Sequence, residues 1–190
     1  MKTGVIANHF AWHQAVVVQS GEQLLEQAEE VARVLAKALK EGNKVIAFGN
    51  GGSATQASHL VGELLGRFEV TRQPFPAIAL ASDAGTVTCI GNDFGYEMLF
   101  ERQLQALAQP GDVAFGFTTS GRSENVKRGL AMAQKRGAIA VALTGAAGLV
   151  GGTADYVLAV PSEATAHVQE VHLMLLHGWC IYMDMELAQV

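Results

Sequence analysis

The chain has 190 residues, of which 49% are hydrophobic and 16% charged, enough apolar material for one globular domain and too much for a disordered chain. Its formal net charge is −5 at pH 7 and no basic stretch occurs, which argues against a nucleic-acid partner. No apolar run approaches the ~20 residues of a membrane span, and the first residues lack a signal-peptide core. The cysteines Cys89 and Cys180 lie in apolar settings, which predicts reduced core thiols and a cytoplasmic protein.

The first forty residues have the pattern of helices. Apolar residues recur at three- and four-residue steps from Leu24 to Leu39, with charged residues mostly between them, and Gly42 supplies a stop. An earlier apolar segment, from Phe10 to Val18, predicts a separate helix. Its apolar content indicates packing on another subunit.

From Lys44 onward, short apolar runs alternate with amphipathic helices. The predicted strands are 45–48, 77–81, 113–117, 138–143 and 156–160, and the predicted helices are 54–66, 96–107, 123–136 and 164–187. This alternation predicts a three-layer α/β/α sandwich around a five-stranded parallel sheet that is buried on both faces. We expect a single domain over residues 1–190, with residues 1–42 as an N-terminal helical segment. Ligands of such sheets bind beyond the carboxyl ends of the strands.

The first loop at a predicted strand end is rich in glycine. Gly49-Asn50-Gly51-Gly52-Ser53-Ala54 joins a strand to a helix, where close backbone approach and free N–H groups favour an anion. The loop also fits the dinucleotide pattern G-x-G-x-x-A, which leaves a nicotinamide-dependent oxidoreductase as an alternative. The spacing argues against this alternative. The acidic residue expected at the end of the next strand, Asp83, lies about thirty residues after the glycine-rich loop instead of the usual ~20.

Two further loops are predicted at strand ends. Thr118, Thr119, Ser120 and Ser123 place four hydroxyls within six residues at the start of a helix, a cradle suited to phosphate, although a single hydroxyl there would be an ordinary N-cap. The segment 90–94, with Asn92 and Asp93 beside Gly91, has ordinary turn-forming residues.

Ionisable residues stand out on two of the predicted helices. A four-residue step separates His59, Glu63 and Arg67, so their side chains share one face of the helix. His59 with Glu63 could be half of a zinc site or an acid–base pair. The alternative is a surface salt-bridge ladder of Glu63 with Arg67. The last helix carries Gln169 and His177 in an apolar stretch. They lie on roughly one side but ~12 Å apart along the axis, so sequence leaves open how one ion would reach both.

Taken together, these segments resemble the sugar isomerase (SIS) domain family, and within it the phosphoheptose isomerases. The resemblance rests on five motifs in order, which are Gly49-Asn-Gly-Gly-Ser53, His59-x-x-x-Glu63-x-x-x-Arg67, Gly91-Asn-Asp-Phe-Gly95, Thr119-Ser-Gly-x-Ser123 and Gln169-Glu-Val-His-Leu-Met-Leu-Leu-His177. It implies a flavodoxin-like, doubly wound fold and an enzyme that converts sedoheptulose 7-phosphate to D-glycero-D-manno-heptose 7-phosphate through an enediol. It also implies a homotetramer with sites near subunit interfaces, supplying heptose for bacterial surface polysaccharide.

The resemblance further implies roles for individual residues. The substrate contacts would come from Asn50, Gly51, Gly52, Glu63, Asn92, Asp93, Thr118, Thr119, Ser120, Ser123 and Gln169. Zinc would be bound by His59, Glu63, Gln169 and His177. Glu63 would act as base and His177 as acid.

Two positions depart from the family pattern. Thr118 stands where many members have serine, which keeps the hydroxyl, and His167 stands where arginine is expected, which removes a second basic contact. A second alternative is a non-catalytic phosphosugar-binding relative that acts as an interaction partner, of the kind that associates with the replication initiator. The presence of His59, Glu63 and His177 favours an enzyme.

Overall fold

A five-stranded parallel sheet forms the centre of the protein. The computed structural model describes residues 4–187. Its strands are β1 (Val45–Gly49), β2 (Ala77–Ala79), β3 (Val113–Thr118), β4 (Ile139–Thr144) and β5 (Tyr156–Ala159). Its α-helices are α1 (Val5–Lys40), α2 (Gly52–Leu65), α3 (Ala84–Phe94), α4 (Leu99–Leu107), α5 (Glu124–Lys135) and α6 (Thr165–Leu187), and a short 3-10 helix, Tyr96–Met98, precedes α4. The strand order β2-β1-β3-β4-β5 is the doubly wound order, so the predicted α/β/α sandwich is confirmed.

Each face of the sheet is covered by helices. Val45 and Ala47 of β1 pack with α1, α2 and α6, whereas Ile46 and Phe48 pack on the other face with α3, α4 and α5. Because both faces are covered, β1 and β3 are buried along their whole length. This explains why these strands are continuous apolar runs instead of alternating ones.

The crevice of the sheet lies between β1 and β3. These neighbours pair in parallel up to Gly49 and Phe117, but the helices that follow them, α2 and α5, pack on opposite faces. The two following loops therefore diverge from adjacent strand ends. This is the position at which open parallel sheets bind ligands.

The N-terminal segment differs from the prediction. α1 is one continuous helix of 36 residues, about 54 Å long, so the expected separate helix over Phe10–Val18 is wrong. Gly21 lies inside α1 without ending it, because a glycine lowers helix stability only modestly. The buried residues of α1 begin at Ser20, so its first half extends beyond the core.

The segment that contains Asn92 and Asp93 is helical, so the predicted loop at 90–94 is also wrong. Asp83 caps α3 by accepting a hydrogen bond from the backbone N–H of Thr86 at 2.7 Å. The cap stabilises the helix by more than the turn-forming residues at its other end destabilise it. Cys89 is exposed on α3, so the expectation of two core thiols holds only for the buried Cys180.

The structure bears on two further expectations. No helix within residues 4–187 is long and apolar enough to cross a membrane. A single domain over residues 1–190 stays a prediction, and residues 1–3 and 188–190 of that range lie outside the described residues.

Candidate active site

The glycine-rich loop is shaped by contacts that a side chain would prevent. Gly51 has a φ of +54°, a backbone conformation that favours glycine. At Gly52, a Cβ would lie 2.5 Å from the side-chain Nε2 of Gln169. Gln56 donates from its own Nε2 to the backbone oxygen of Gln169 at 2.5 Å. The start of α2 is thus held directly against the first turns of α6.

An amide pair ties the glycine-rich loop to the start of α5. Asn50 and Asn125 donate to each other through their side-chain amides, both at 2.9 Å. The hydroxyl of Tyr96 also donates to Oδ1 of Asn50, at 2.8 Å. Sequence reasoning missed both Asn125 and Tyr96. Asn125 is buried, and this burial, which the sequence does not reveal, is what shows that its side chain faces Asn50.

The hydroxyl-rich loop lies at the end of β3, as predicted. Thr118 donates to the hydroxyl of Ser123 at 3.2 Å, and the backbone N–H of Arg122 donates to Oγ of Ser120 at 3.2 Å. Ser123 precedes α5 without a capping hydrogen bond from its side chain, so N-capping does not account for its hydroxyl. Hydroxyls and the free amides of a helix start form an anion-binding arrangement.

Asn92 and Asp93 lie in the last turn of α3, and both are exposed. Nδ2 of Asn92 donates to Oδ1 of Asp93 at 2.7 Å. The nearest link to the loop after β1 runs through Tyr96, three residues further along the chain.

Three of the predicted ligands meet between α2 and α6. His59 Nε2 lies 3.1 Å from Oε1 of Glu63 and 3.2 Å from Nε2 of His177. The ring of Phe68 stacks on the His177 ring with centroids 5.5 Å apart. Among the described residues, no ion pair joins Glu63 to Arg67, so the surface-ladder interpretation of this helix is not what forms.

The spacing within this triad suits a zinc ion. Ligand atoms at about 2.0–2.1 Å from a tetrahedral zinc ion lie about 3.3 Å from one another. The two observed separations from His59 Nε2, 3.1 and 3.2 Å, are close to that value. One ligand atom from each of the three residues lies within 4.8 Å of the others. The amide of Gln169, against Gly52, lies about two helical turns towards the amino ends of α2 and α6.

Arg72, another residue that sequence reasoning missed, fixes the end of α2. Its guanidinium donates to the backbone oxygens of Glu63 at 2.8 Å and Leu64 at 3.0 Å, which have no partner within the helix. It also donates to Asp184 Oδ1 of α6 at 2.8 Å. The backbone of Glu63 is therefore positioned by a buried ion pair that joins two elements.

Comparisons with known proteins identify the family of the chain. A family model described as SIS domain matches residues 9–145. A phosphoheptose isomerase of Aquifex aeolicus is 52% identical over 160 residues, which are 84% of each chain. The chain belongs to the SIS domain family, among its phosphoheptose isomerases.

Solved structures support the same placement. A phosphoheptose isomerase from Francisella tularensis is 33% identical, with a TM-score of 0.88 over 95% of this chain and 96% of that one. One from Neisseria gonorrhoeae is 35% identical, with a TM-score of 0.85 over 95% and 97%. The chain is therefore an isomerase. Asp83, the acidic residue that the dinucleotide alternative would use, caps α3.

Proposed function

We propose that this isomerase converts sedoheptulose 7-phosphate to D-glycero-D-manno-heptose 7-phosphate through an enediol. The observation that carries this proposal is the triad of His59, Glu63 and His177 beside two ligand-binding loops at the sheet crevice. The curated relatives named phosphoheptose isomerase, at 40–52% identity, support the same substrate.

Each of the two loops would bind a different part of the substrate. The phosphate would be held by Thr118, Thr119, Ser120 and Ser123, with the amides that open α5. The sugar would be held by Asn50, Gly51, Gly52, Asn92, Asp93 and Gln169. Glycines allow the sugar to approach the backbone closely. Binding at a phosphate remote from the reacting carbons orients C1 and C2 of the sugar, which lowers the entropic cost of reaction.

The triad supplies the proton transfers. Glu63 removes a proton from C1 of the ketose and returns it to C2 of the enediol, so the carboxylate is regenerated in each turnover. His177 gives a proton to the carbonyl oxygen at C2 and takes one from the hydroxyl at C1. A carboxylate oxygen of Glu63 and a ring nitrogen of His177 lie within 4.8 Å of each other. This separation suits proton transfers at adjacent carbons.

The donor set of the triad also fits a zinc ion. His59, Glu63 and His177, with Gln169 as the fourth ligand, would hold one Zn²⁺ per subunit. A bound zinc ion supplies Lewis-acid polarisation of the substrate oxygens. Glu63 has two carboxylate oxygens, so one can face the ion and the other the substrate.

We also propose that the enzyme is a cytoplasmic homotetramer that supplies heptose for surface polysaccharide. The first half of α1 exposes large apolar side chains, including Phe10 at 70% and Trp12 at 63%. An apolar groove of about 270 Å³ between α1 and α6 adds to that surface. Apolar patches of this extent mark interfaces.

The test is an assay of the purified protein with sedoheptulose 7-phosphate in D₂O, with the product identified by NMR. We expect the aldose with deuterium at C2, because the proton on Glu63 exchanges with solvent. Glu63→Gln removes the base, and we expect kcat to fall by about 10²–10⁴-fold. Glu26→Gln, at an exposed glutamate of α1, is the matched control and should keep the wild-type rate.

Each failure of this test has a distinct meaning. Wild-type turnover by the Glu63→Gln protein would refute the base assignment. Turnover of another ketose phosphate, but not of sedoheptulose 7-phosphate, would refute the substrate while leaving the isomerase chemistry intact.

A further inference from the structure

A second cluster of metal-ligand side chains lies where α1 meets the first turns of α6. His9 Nε2 is 2.9 Å from Oε1 of Glu170, and His9 Nδ1 is 3.2 Å from Nε2 of His167. One ligand atom from each of these three residues lies within 4.8 Å of the others. His13, one turn further along α1, places Nδ1 at 2.8 Å from Oε2 of the same carboxylate.

The polar atoms of this cluster converge without completing a hydrogen-bond network. Nδ1 of His13 and Oε2 of Glu170 are both buried and both lack a hydrogen bond, although they lie close together. His167 is buried, with 6% of its surface exposed. Buried polar atoms without hydrogen bonds are costly, and a cation bound between Nδ1 of His13 and Oε2 of Glu170 would satisfy both.

The placement of histidine in the chain points the same way. Of the six histidines, five lie in the two clusters, and the sixth, His172, is buried against the backbone oxygen of Thr144. Imidazoles with one carboxylate are the ligand set of zinc and related borderline dications. His167 belongs to this set, and it stands where the family resemblance leads one to expect arginine.

We propose that His9, His13, His167 and Glu170 bind a second transition-metal dication, of which Zn²⁺ is the representative. This site is separate from the triad, because the two sets of ligands share no residue and each set comes together by itself. It would join the part of α1 that extends beyond the core to the start of α6. The ion therefore clamps the N-terminal half of α1, and the proposal does not depend on the substrate of the enzyme.

The test counts metal ions in the full-length, untagged protein after removal of metal and reloading with zinc. We expect two ions per chain in the wild type. The His9→Gln/His167→Gln variant should lose one ion, and the matched His59→Gln/His177→Gln variant should lose the other. Circular dichroism of each metal-free variant shows whether it has folded.

Cobalt(II) gives an independent measurement that does not use activity. In the His59→Gln/His177→Gln variant, we expect one tightly bound cobalt ion. Its visible absorption should be that of cobalt(II) in a protein site of low symmetry, which differs from that of the hydrated ion. The single change His13→Gln or His167→Arg, in that background, should weaken binding by at least about tenfold.

The possible outcomes separate this site from the first one. A single zinc ion per wild-type chain that is lost only from the His59→Gln/His177→Gln variant would overturn the second site, and would show that Glu170 is simply paired with histidines. A single ion lost only from the His9→Gln/His167→Gln variant would support the second site and refute zinc at the triad.

Discussion

Burial determines the charge of His172 on α6. Removal from water lowers the pKa of this imidazole to about 4, and its Nε2 donates to the backbone oxygen of Thr144 at 3.2 Å, a bond that opposes the shift only in part. His172 is therefore neutral in the folded protein at neutral pH. It is a core histidine, although it lies between residues of the two proposed metal sites.

This neutral state makes stability depend on pH. The unfolded chain takes up a proton on His172 near pH 6.5, whereas the folded chain does so only near pH 4. Stability from this residue is therefore complete above pH 6.5 and falls as the pH drops towards 4. At pH 5 the loss should be about 2 kcal/mol.

Denaturant unfolding at pH 7 and pH 5, in the presence of a chelator, measures this effect. The wild type should lose about 2 kcal/mol more between the two pH values than His172→Gln, which cannot titrate. An equal loss in both proteins would show that His172 is protonated in the fold.

At the scale of the elements, the hydrogen bonds between Asn50 and Asn125 join the loop after β1 to the start of α5. Removing the Asn125 amide in Asn125→Ala leaves the side chain of Asn50 without two hydrogen bonds. We expect KM for the sugar phosphate to rise by about tenfold, an effect of about 1.4 kcal/mol, with a smaller change in kcat. Steady-state kinetics checks this.

Gln134→Ala is the matched control for that experiment, since Gln134 is an amide at the other end of α5. Its KM should stay at the wild-type value. A change in kcat alone in Asn125→Ala would instead place Asn125 in the chemical step, and an unchanged KM would mean that the amide pair does not set the shape of the site.

The ion pair of Arg72 with Asp184 joins the segment after α2 to α6. Burial raises the pKa of Asp184, but hydrogen bonds from Arg72 and from the backbone N–H groups of Glu69 and Val70 outweigh it, so the pKa lies below its ordinary value. The side chains of Arg72 and Asp184 are only 1% and 5% exposed.

Removing one partner of this pair should be costly. Asp184→Asn leaves the Arg72 cation buried without its counter-ion, and we expect the free energy of unfolding to fall by about 3–5 kcal/mol. Glu41→Gln, which breaks the exposed pair with Lys37, should change it by less than about 1 kcal/mol. Similar values for the two variants in denaturant titrations would show that Asp184 is not essential to this junction.

Some of these elements could be predicted from sequence and others could not. The strands were predictable because burial on both faces leaves continuous apolar runs, and His59 with Glu63 because a four-residue step is local. The contact of His59 with His177 depends on the packing of helices 118 residues apart in sequence, which no local pattern encodes. α3 was missed because Asn92 and Asp93 favour turns, while its cap at Asp83 lies nine residues earlier.

At the scale of the whole molecule, α1 extends beyond the core of its own subunit. Val5, Ile6, Phe10, Trp12 and Val18 are exposed, and they lie on the half of α1 that precedes its first buried residue, Ser20. Exposed apolar surfaces of this kind are typical of subunit interfaces, the role that we propose for this one. Four copies of the 20.1 kDa chain would have a mass of about 80 kDa.

Charge placed on this surface should therefore dissociate the tetramer that we propose. Trp12→Glu puts a carboxylate where an apolar side chain would be buried between subunits, and we expect light scattering after size exclusion to show a mass well below that of the wild type. Gln105→Glu adds the same charge on α4, on the opposite face of the sheet, and should leave the mass unchanged. If the wild type itself has the mass of one chain, α1 is not a subunit interface, and the proposed position of the active sites near such an interface is wrong.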